Sequence, residues 1–216
     1  MERLKTPAGI FVLAALAGIF LFVVGWLRNA NFEYWYLIYN LFLGVLPLGF
    51  AIWWRKLFIR YSWKNWRSVP VGILWLLFLP NSFYIITDFI HLYETPRVDV
   101  VQDVVMLMHF SLLGLIFGFM SLSIIHREAT KLIGSKKAMY GVGLVLLLSS
   151  FAIHLGRELR WNSWDVLFNP LGLLGDMLRI LLAPFASAAI WTTVSFFLFL
   201  TSFYALWRVV MKNRNY

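Results

Sequence analysis

Six long runs of apolar residues constrain the fold of this chain more than any other feature. They extend over residues 8–27, 34–54, 69–90, 104–125, 139–155 and 184–207. Each is close to the roughly 20 residues that an α-helix needs to cross the hydrocarbon core of a bilayer. Only 13% of the 216 residues are charged, about half the share in soluble domains. The sequence therefore predicts an all-α integral membrane protein, a six-transmembrane-helix bundle forming one domain over residues 1–216.

The charges of the loops predict how these helices are oriented. Lysine and arginine concentrate before the first run, between the second and third, between the fourth and fifth, and after the sixth. We expect the protein to lie in the cell membrane. The positive-inside rule makes these segments cytoplasmic, so both termini are expected on the cytoplasmic side. The net charge of +9 is thus a topology signal, and no nucleic-acid partner is expected.

Residues 55–67 interleave cations with aromatic side chains. This pattern suits an anionic lipid at the cytoplasmic face, although an ordinary positive-inside loop with tryptophan anchors explains it more simply. The chain contains no cysteine, which excludes disulfides and thiolate metal ligands.

The third run carries polar residues at membrane depth. Pro80 removes a backbone donor and clashes with the preceding turn, so we expect the third helix to break there, with Asn81 and Ser82 able to cap a restarted half-helix. The polar residues after the proline share one stripe at i, i+3, i+7 and i+10: Asn81, Tyr84, Asp88 and His91. Such residues are costly in lipid and by default mark a functional site. The structural alternative is a simple kink with Asp88 and His91 solvated at the interface.

A second polar segment, residues 154–165, follows the fifth run. Arg157 and Arg160 lie one helical turn apart and suit a bidentate grip on a phosphate or carboxylate. Pairing of these arginines with nearby carboxylates, which would lock the outer loops together, is an equal alternative. The other candidate ligand-binding residues of this segment are Trp161, Asn162 and Asp165.

The fourth and later runs add three further features. Asp103 and His109 lie toward the outer end of the fourth run and complete the candidate ligand-binding set. Gly114 and Gly118 form a GxxxG pair, which predicts a close helix contact. Residues 169–182 have the pattern of an amphipathic helix lying in the outer interface.

Two blocks of sequence resemble a known family. Leu-Pro-Asn-Ser-Phe-Tyr and Thr-Asp-Phe-Ile-His, within residues 79–91, form the first block, and Gly-Arg-Glu-Leu-Arg-Trp-Asn-Ser-Trp-Asp, at residues 156–165, forms the second. They resemble the signature segments of an uncharacterised bacterial membrane family, domain of unknown function thirteen sixty-one. The resemblance covers the chain from about the second run to the sixth. It implies a bacterial multi-pass membrane protein, no particular reaction, and two blocks that meet in space.

Three functions are compatible with these features. The first is a non-catalytic membrane protein whose outward-facing polar cluster binds a lipid headgroup, an envelope precursor or a protein partner. The second is a metal-dependent intramembrane hydrolase acting on a lipid-like substrate, with Asp88, His91 and His109 as ligands of a divalent metal. It lacks a supporting HExxH or GxSxG motif. The third is a small transporter or permease component, which the nearly apolar inner half of the bundle disfavours.

Overall fold

Every regular element in the described part of the chain is a helix. The computed structural model describes residues 7–29, 34–61, 65–93, 100–182 and 188–213. Its elements are α1 Pro7–Asn29, α2 Trp35–Tyr61, α3 Ser68–Tyr84, the 3₁₀ helix η1 Ile85–Tyr93, α4 Val100–Ile133, α5 Ser135–Glu158, α6 Asp165–Phe168, α7 Pro170–Leu182 and α8 Ala188–Asn213.

The predicted all-α class and the six spans are confirmed. The helices long and apolar enough to cross a membrane are α1, α2, α3 together with η1, α4, α5 and α8. The expected start of the sixth span, at residues 184–187, lies outside the described residues.

The bundle is organised around α4. Within the most hydrophobic window of each helix, 61% of α4 is buried, against 17% of α1 and 11% of α8. Helices α1, α2, α3 and α5 pack on α4, and α8 packs on α5. Two apolar clusters fill the interior, one centred on Leu79, Phe83, Phe119 and Leu146 and the other on Leu37, Leu41, Met106 and Phe110. Many other apolar side chains are exposed on the outside, as expected for helices that face lipid.

The closest helix contact is made by the GxxxG pair, as the sequence predicts. A methyl group at Gly114 would collide with the backbone carbonyl oxygen of Ser82, and one at Gly118 would collide with the Phe83 ring. Ser82 Oγ also donates a hydrogen bond of 2.6 Å to the Gly44 carbonyl oxygen of α2. The segment just after Pro80 therefore packs against both α2 and α4.

The third span changes from α-helical to 3₁₀ winding after Tyr84, whereas the sequence predicts a break at Pro80. Helix α3 continues through Pro80 to Tyr84, and η1 begins at Ile85, so Asn81 does not cap a restarted half-helix. Two carbonyls in the turn before the proline, where a proline ring disturbs the helix, accept side-chain hydrogen bonds. Ser163 Oγ donates to the Leu77 carbonyl at 2.9 Å, and Asn81 Nδ2 donates to the Phe78 carbonyl at 3.1 Å. These bonds tie the turn to the segment after α5, and the helix continues through it.

Helix α7 matches the predicted amphipathic helix. Asn169 Oδ1 accepts a hydrogen bond from the Gly172 N–H at 3.2 Å, which caps its first turn. None of its residues is buried. Its leucines at positions 171, 174, 178 and 181 are all more than half exposed. On the opposite side, Arg179 forms a salt bridge of 3.3 Å with Asp176.

Candidate functional site

The two polar sequence blocks meet at one end of the bundle, as the family resemblance implies. Asn81 Nδ2 of α3 donates a hydrogen bond of 2.9 Å to Ser163 Oγ, 82 positions later in the chain. The Tyr84 ring lies against Gly156 of α5. We call this the polar end, formed by η1, the start of α2, the C-terminus of α5 and the segment up to α6.

Asp88 is a buried carboxylate of the polar end. Asp88 is only 2% exposed. Asn40 Nδ2 of α2 donates a hydrogen bond of 3.0 Å to Asp88 Oδ2. Since a buried carboxylate is costly without partners, this bond ties η1 to α2.

Sequence reasoning missed Asn40. The signal was present, because Asn40 is a lone amide inside the otherwise apolar second run. Polar residues at membrane depth generally pair with one another. This rule would have suggested a partner for Asp88 without naming the helix face on which it lies.

His91 follows Asp88 by three residues, which is one full turn of a 3₁₀ helix, so the two share a face of η1. The His91 ring contacts the ring of Tyr36 on α2, with centroids 5.1 Å apart. The predicted stripe is therefore divided between two neighbours. Asn81 and Tyr84 contact the α5–α6 side, and His91 contacts α2.

His109 and Asp103 lie on other contacts of α4. His109 Nε2 is 2.8 Å from the carbonyl oxygen of Ala14 on α1. Asp103 is 1% exposed, and its Oδ2 accepts a hydrogen bond of 3.4 Å from the hydroxyl of Tyr34. Both residues thus connect α4 to the N-terminal helices rather than to the second polar block.

The proposed metal ligands are not brought together. His109 faces α1, whereas Asp88 and His91 lie on η1 beside α2. Among the residues that the structure describes, no group of three His, Cys, Asp or Glu side chains is arranged to hold a metal ion. A hydrolytic metal centre of Asp88, His91 and His109 therefore has no support in the geometry.

Three of the predicted ligand-binding residues instead build the loop after α5. Asp165 Oδ2 accepts a hydrogen bond of 2.6 Å from the backbone N–H of Asn162. Trp161 donates twice, from its backbone to the Leu155 carbonyl at 3.1 Å and from its indole to Asp176 of α7 at 3.1 Å. Together with the Ser163 bonds, these contacts fix the loop against α3, α5 and α7.

The two arginines of this segment are used differently. Within the described residues, neither the Arg157 nor the Arg160 guanidinium forms a hydrogen bond or a salt bridge. Arg160 also has a φ of 59°, in the left-handed region that usually requires glycine at the end of a helix. An L side chain in this conformation costs about 1 kcal/mol. Non-glycine residues with such strain cluster at binding sites.

His154 lies one helical turn before Arg157. It is 4% exposed, and its Nδ1 atom has no hydrogen-bond partner among the described residues. Buried polar atoms nearly always have a partner in the protein or in ordered water. This ring nitrogen and the Arg157 guanidinium belong to the same helical turn of α5.

The opposite end of the bundle, which we call the basic end, contains polar groups that sequence reasoning did not expect. Glu128 is 7% exposed and accepts hydrogen bonds from Arg55 at 3.1 Å and Lys131 at 2.9 Å. His126 is also buried, with its Nδ1 2.9 Å from the Tyr204 hydroxyl. The expectation that this half is nearly free of polar groups is wrong. A single acid within the basic stretch of residues 127–137 was the available signal.

The fold and these contacts define an all-α, multi-pass membrane protein whose two polar blocks assemble at one end. A family profile matches residues 39–205, a range that includes both blocks, and the chain belongs to this family, DUF1361, described as a protein of unknown function. No curated protein and no solved structure matches the chain.

Proposed function

We propose that the protein is a non-catalytic membrane receptor that binds an anionic group with Arg157 and Arg160 at the polar end. The observation that carries the proposal is that both guanidinium groups lack a hydrogen bond or salt bridge to the described residues. Arg157 lies in the last turn of α5 and Arg160 two residues beyond the end of this helix, and a guanidinium can bind a phosphate or carboxylate through two parallel hydrogen bonds.

The surroundings of the arginines favour binding. Ser163 and Asp165 hold the loop in place through bonds to α3 and within the loop itself. Side chains presented by a fixed loop lose less conformational entropy when a ligand binds. The strained backbone of Arg160 also supports a role in binding. Glycine at this position would relieve the strain, but it would also remove the cation.

We assign the polar end to the extracytoplasmic side of a bacterial cell membrane, because lysine and arginine concentrate at the other end. The ligand is then an anionic lipid headgroup or a lipid-linked envelope precursor, which share a phosphate. The absence of cysteine makes the orientation directly testable. In intact cells, a membrane-impermeant maleimide should label Arg179→Cys and not Lys56→Cys. The reverse pattern would reject this orientation.

The binding test uses purified protein in detergent and native mass spectrometry. The probes are a short polyprenyl phosphate and the matching polyprenol, which lacks the phosphate. We expect the phosphate form to bind at least about tenfold more tightly, since charge-assisted hydrogen bonds contribute about 1.5–3 kcal/mol each. The double variant Arg157→Gln/Arg160→Gln should lose this preference.

Two further variants make the result specific. Arg179→Gln removes an arginine from the same end, where Arg179 pairs with Asp176, and should bind normally. Arg157→Lys/Arg160→Lys retains both charges but loses the planar fork and should recover only part of the preference. Equal binding of the polyprenol, or an equal loss in Arg179→Gln, would overturn the proposal.

A transport function has less support. Large apolar side chains, among them Leu79, Phe83 and Leu146, each at most 1% exposed, fill much of the interior between the two ends, and a buried serine there, Ser121, bonds the Trp75 indole and the Pro47 carbonyl. A substrate path would need polar groups along its length. Binding at one end requires no such path.

A further inference from the structure

A second open site lies at the basic end, away from the arginines of the polar end. It is a groove of about 780 Å³ between the C-terminal halves of α4 and α8 and the N-terminal half of α5. Two hydrogen bonds between α4 and α8 bridge its floor. They join His126 to Tyr204 at 2.9 Å and Trp207 to Ser123 at 2.9 Å.

The charge of the groove is one-sided. Its charged side chains are all cations, namely Arg127, Lys131, Arg208 and Lys212, and none of the described residues that line it is acidic. Glu128, outside the groove, partly neutralises the first two, with N–O distances of 3.9 and 2.9 Å. Arg208 and Lys212 have no carboxylate within salt-bridge distance among the described residues.

The groove also has an apolar wall below its cations. Along α8 it extends from Lys212 to Thr201, about 16 Å at the helical rise. Val142 and Leu146 of α5 line the deeper part. Val209 lines the groove and is 58% exposed on the outer surface of the bundle, so the groove opens sideways toward lipid.

We propose that this groove binds an anionic phospholipid. Arg208 and Lys212 contact the headgroup phosphate, and one acyl chain lies along Val142 and Leu146. Charge complementarity selects the anion, because basic pockets between membrane helices favour acidic headgroups. The apolar wall distinguishes a lipid from a soluble anion, since a soluble anion gains nothing from contact with Val142 and Leu146.

The test measures the retention of lipid by native mass spectrometry, with the full chain in nanodiscs of equal phosphatidylglycerol and phosphatidylcholine. We expect the wild type to retain phosphatidylglycerol preferentially. Arg208→Gln/Lys212→Gln should weaken this binding about 30-fold, since each cation near an anionic headgroup contributes about 1 kcal/mol. Lys56→Gln/Arg60→Gln removes two exposed charges from the same end outside the groove and should leave retention within about twofold.

A second pair of variants tests the groove without changing any charge. Gly143 lines the groove, and nothing lies within 4 Å of the position that its Cβ would take. We therefore expect Gly143→Phe to fold and its ring to occupy part of the groove. Gly49 has the same open surroundings on α2 and serves as the matched control. We expect Gly143→Phe to lose phosphatidylglycerol and Gly49→Phe to retain it.

Three outcomes of the nanodisc experiments would overturn the proposal. They are equal retention of phosphatidylcholine by the wild type, a loss in Lys56→Gln/Arg60→Gln as large as in the groove variant, and full retention by Gly143→Phe. Tight binding of free glycerol phosphate would also overturn it, because the acyl chain would then be unnecessary. The Arg157→Gln/Arg160→Gln variant should retain phosphatidylglycerol, which separates this site from the one at the polar end.

Discussion

Replacing Gly114 by alanine tests the contact that holds the third span in place. The added methyl would collide with the Ser82 carbonyl oxygen and lie 2.9 Å from Ile85 Cδ1. The isoleucine side chain can rotate away, but a backbone carbonyl cannot. Helix α3 would have to move off α4, and this movement would disturb the 2.6 Å hydrogen bond from Ser82 to Gly44.

The expected cost combines three contributions. Overpacking a close contact costs about 1–3 kcal/mol. Weakening the Ser82–Gly44 hydrogen bond adds about 1 kcal/mol. The better helix propensity of alanine offsets about 1 kcal/mol. We therefore expect Gly114→Ala to lower the free energy of unfolding by about 2 kcal/mol.

Gly49→Ala provides the matched control, because Gly49 is also within a membrane helix and has nothing within 4 Å of its Cβ position. Only the propensity gain applies there, so its stability should rise by up to about 1 kcal/mol. The assay is unfolding by sodium dodecyl sulfate in mixed micelles, followed by tryptophan fluorescence. If both variants unfold at the same detergent fraction, the steric argument is refuted.

Three further predictions concern polar contacts and use the same unfolding assay. Asn40→Leu should destabilise the protein by about 1–3 kcal/mol, because it removes a hydrogen bond to the buried Asp88 carboxylate. A double variant that also carries Asp88→Leu should be more stable than Asn40→Leu. A double variant that is less stable would contradict this account. Ser163→Ala should cost about 1–3 kcal/mol, because the hydroxyl bonds both the Asn81 amide and a carbonyl of the proline turn; an unchanged midpoint would show that these bonds are dispensable. Glu128→Gln should lower the free energy of unfolding by less than about 1 kcal/mol, since the cationic partners of Glu128 are 41–60% exposed and screened by solvent. A loss of stability comparable to that of Asn40→Leu would contradict this prediction.

Hydropathy was sufficient to predict the six spans, because length and apolar content are local properties of the chain. The continuation of α3 past Pro80 could not be predicted in this way. The turn before Pro80 is bonded by Ser163, a hydroxyl 86 positions beyond the Leu77 carbonyl that accepts its bond. No local rule identifies such a partner.

The candidate site was predicted in part for a similar reason. The pairing of the two blocks followed from the family resemblance, and Asn81 with Ser163 confirms it. The metal set failed because it required the faces of different helices to meet. His109 contacts the Ala14 carbonyl instead. Such contacts depend on which helices pack against each other, and the periodicity of each helix does not specify this.

The 3₁₀ winding of η1 changes how far the third span reaches. A 3₁₀ helix rises about 2.0 Å per residue, against 1.5 Å in an α-helix. The 25 residues from Ser68 to Leu92 therefore extend about 42 Å instead of about 38 Å, close to the full thickness of a bilayer with its headgroup layers. The tighter turn also advances each residue by 120° rather than 100°, so His91 is rotated by about 120° from its α-helical direction. The aromatic contact between His91 and Tyr36 is made in that rotated, extended position.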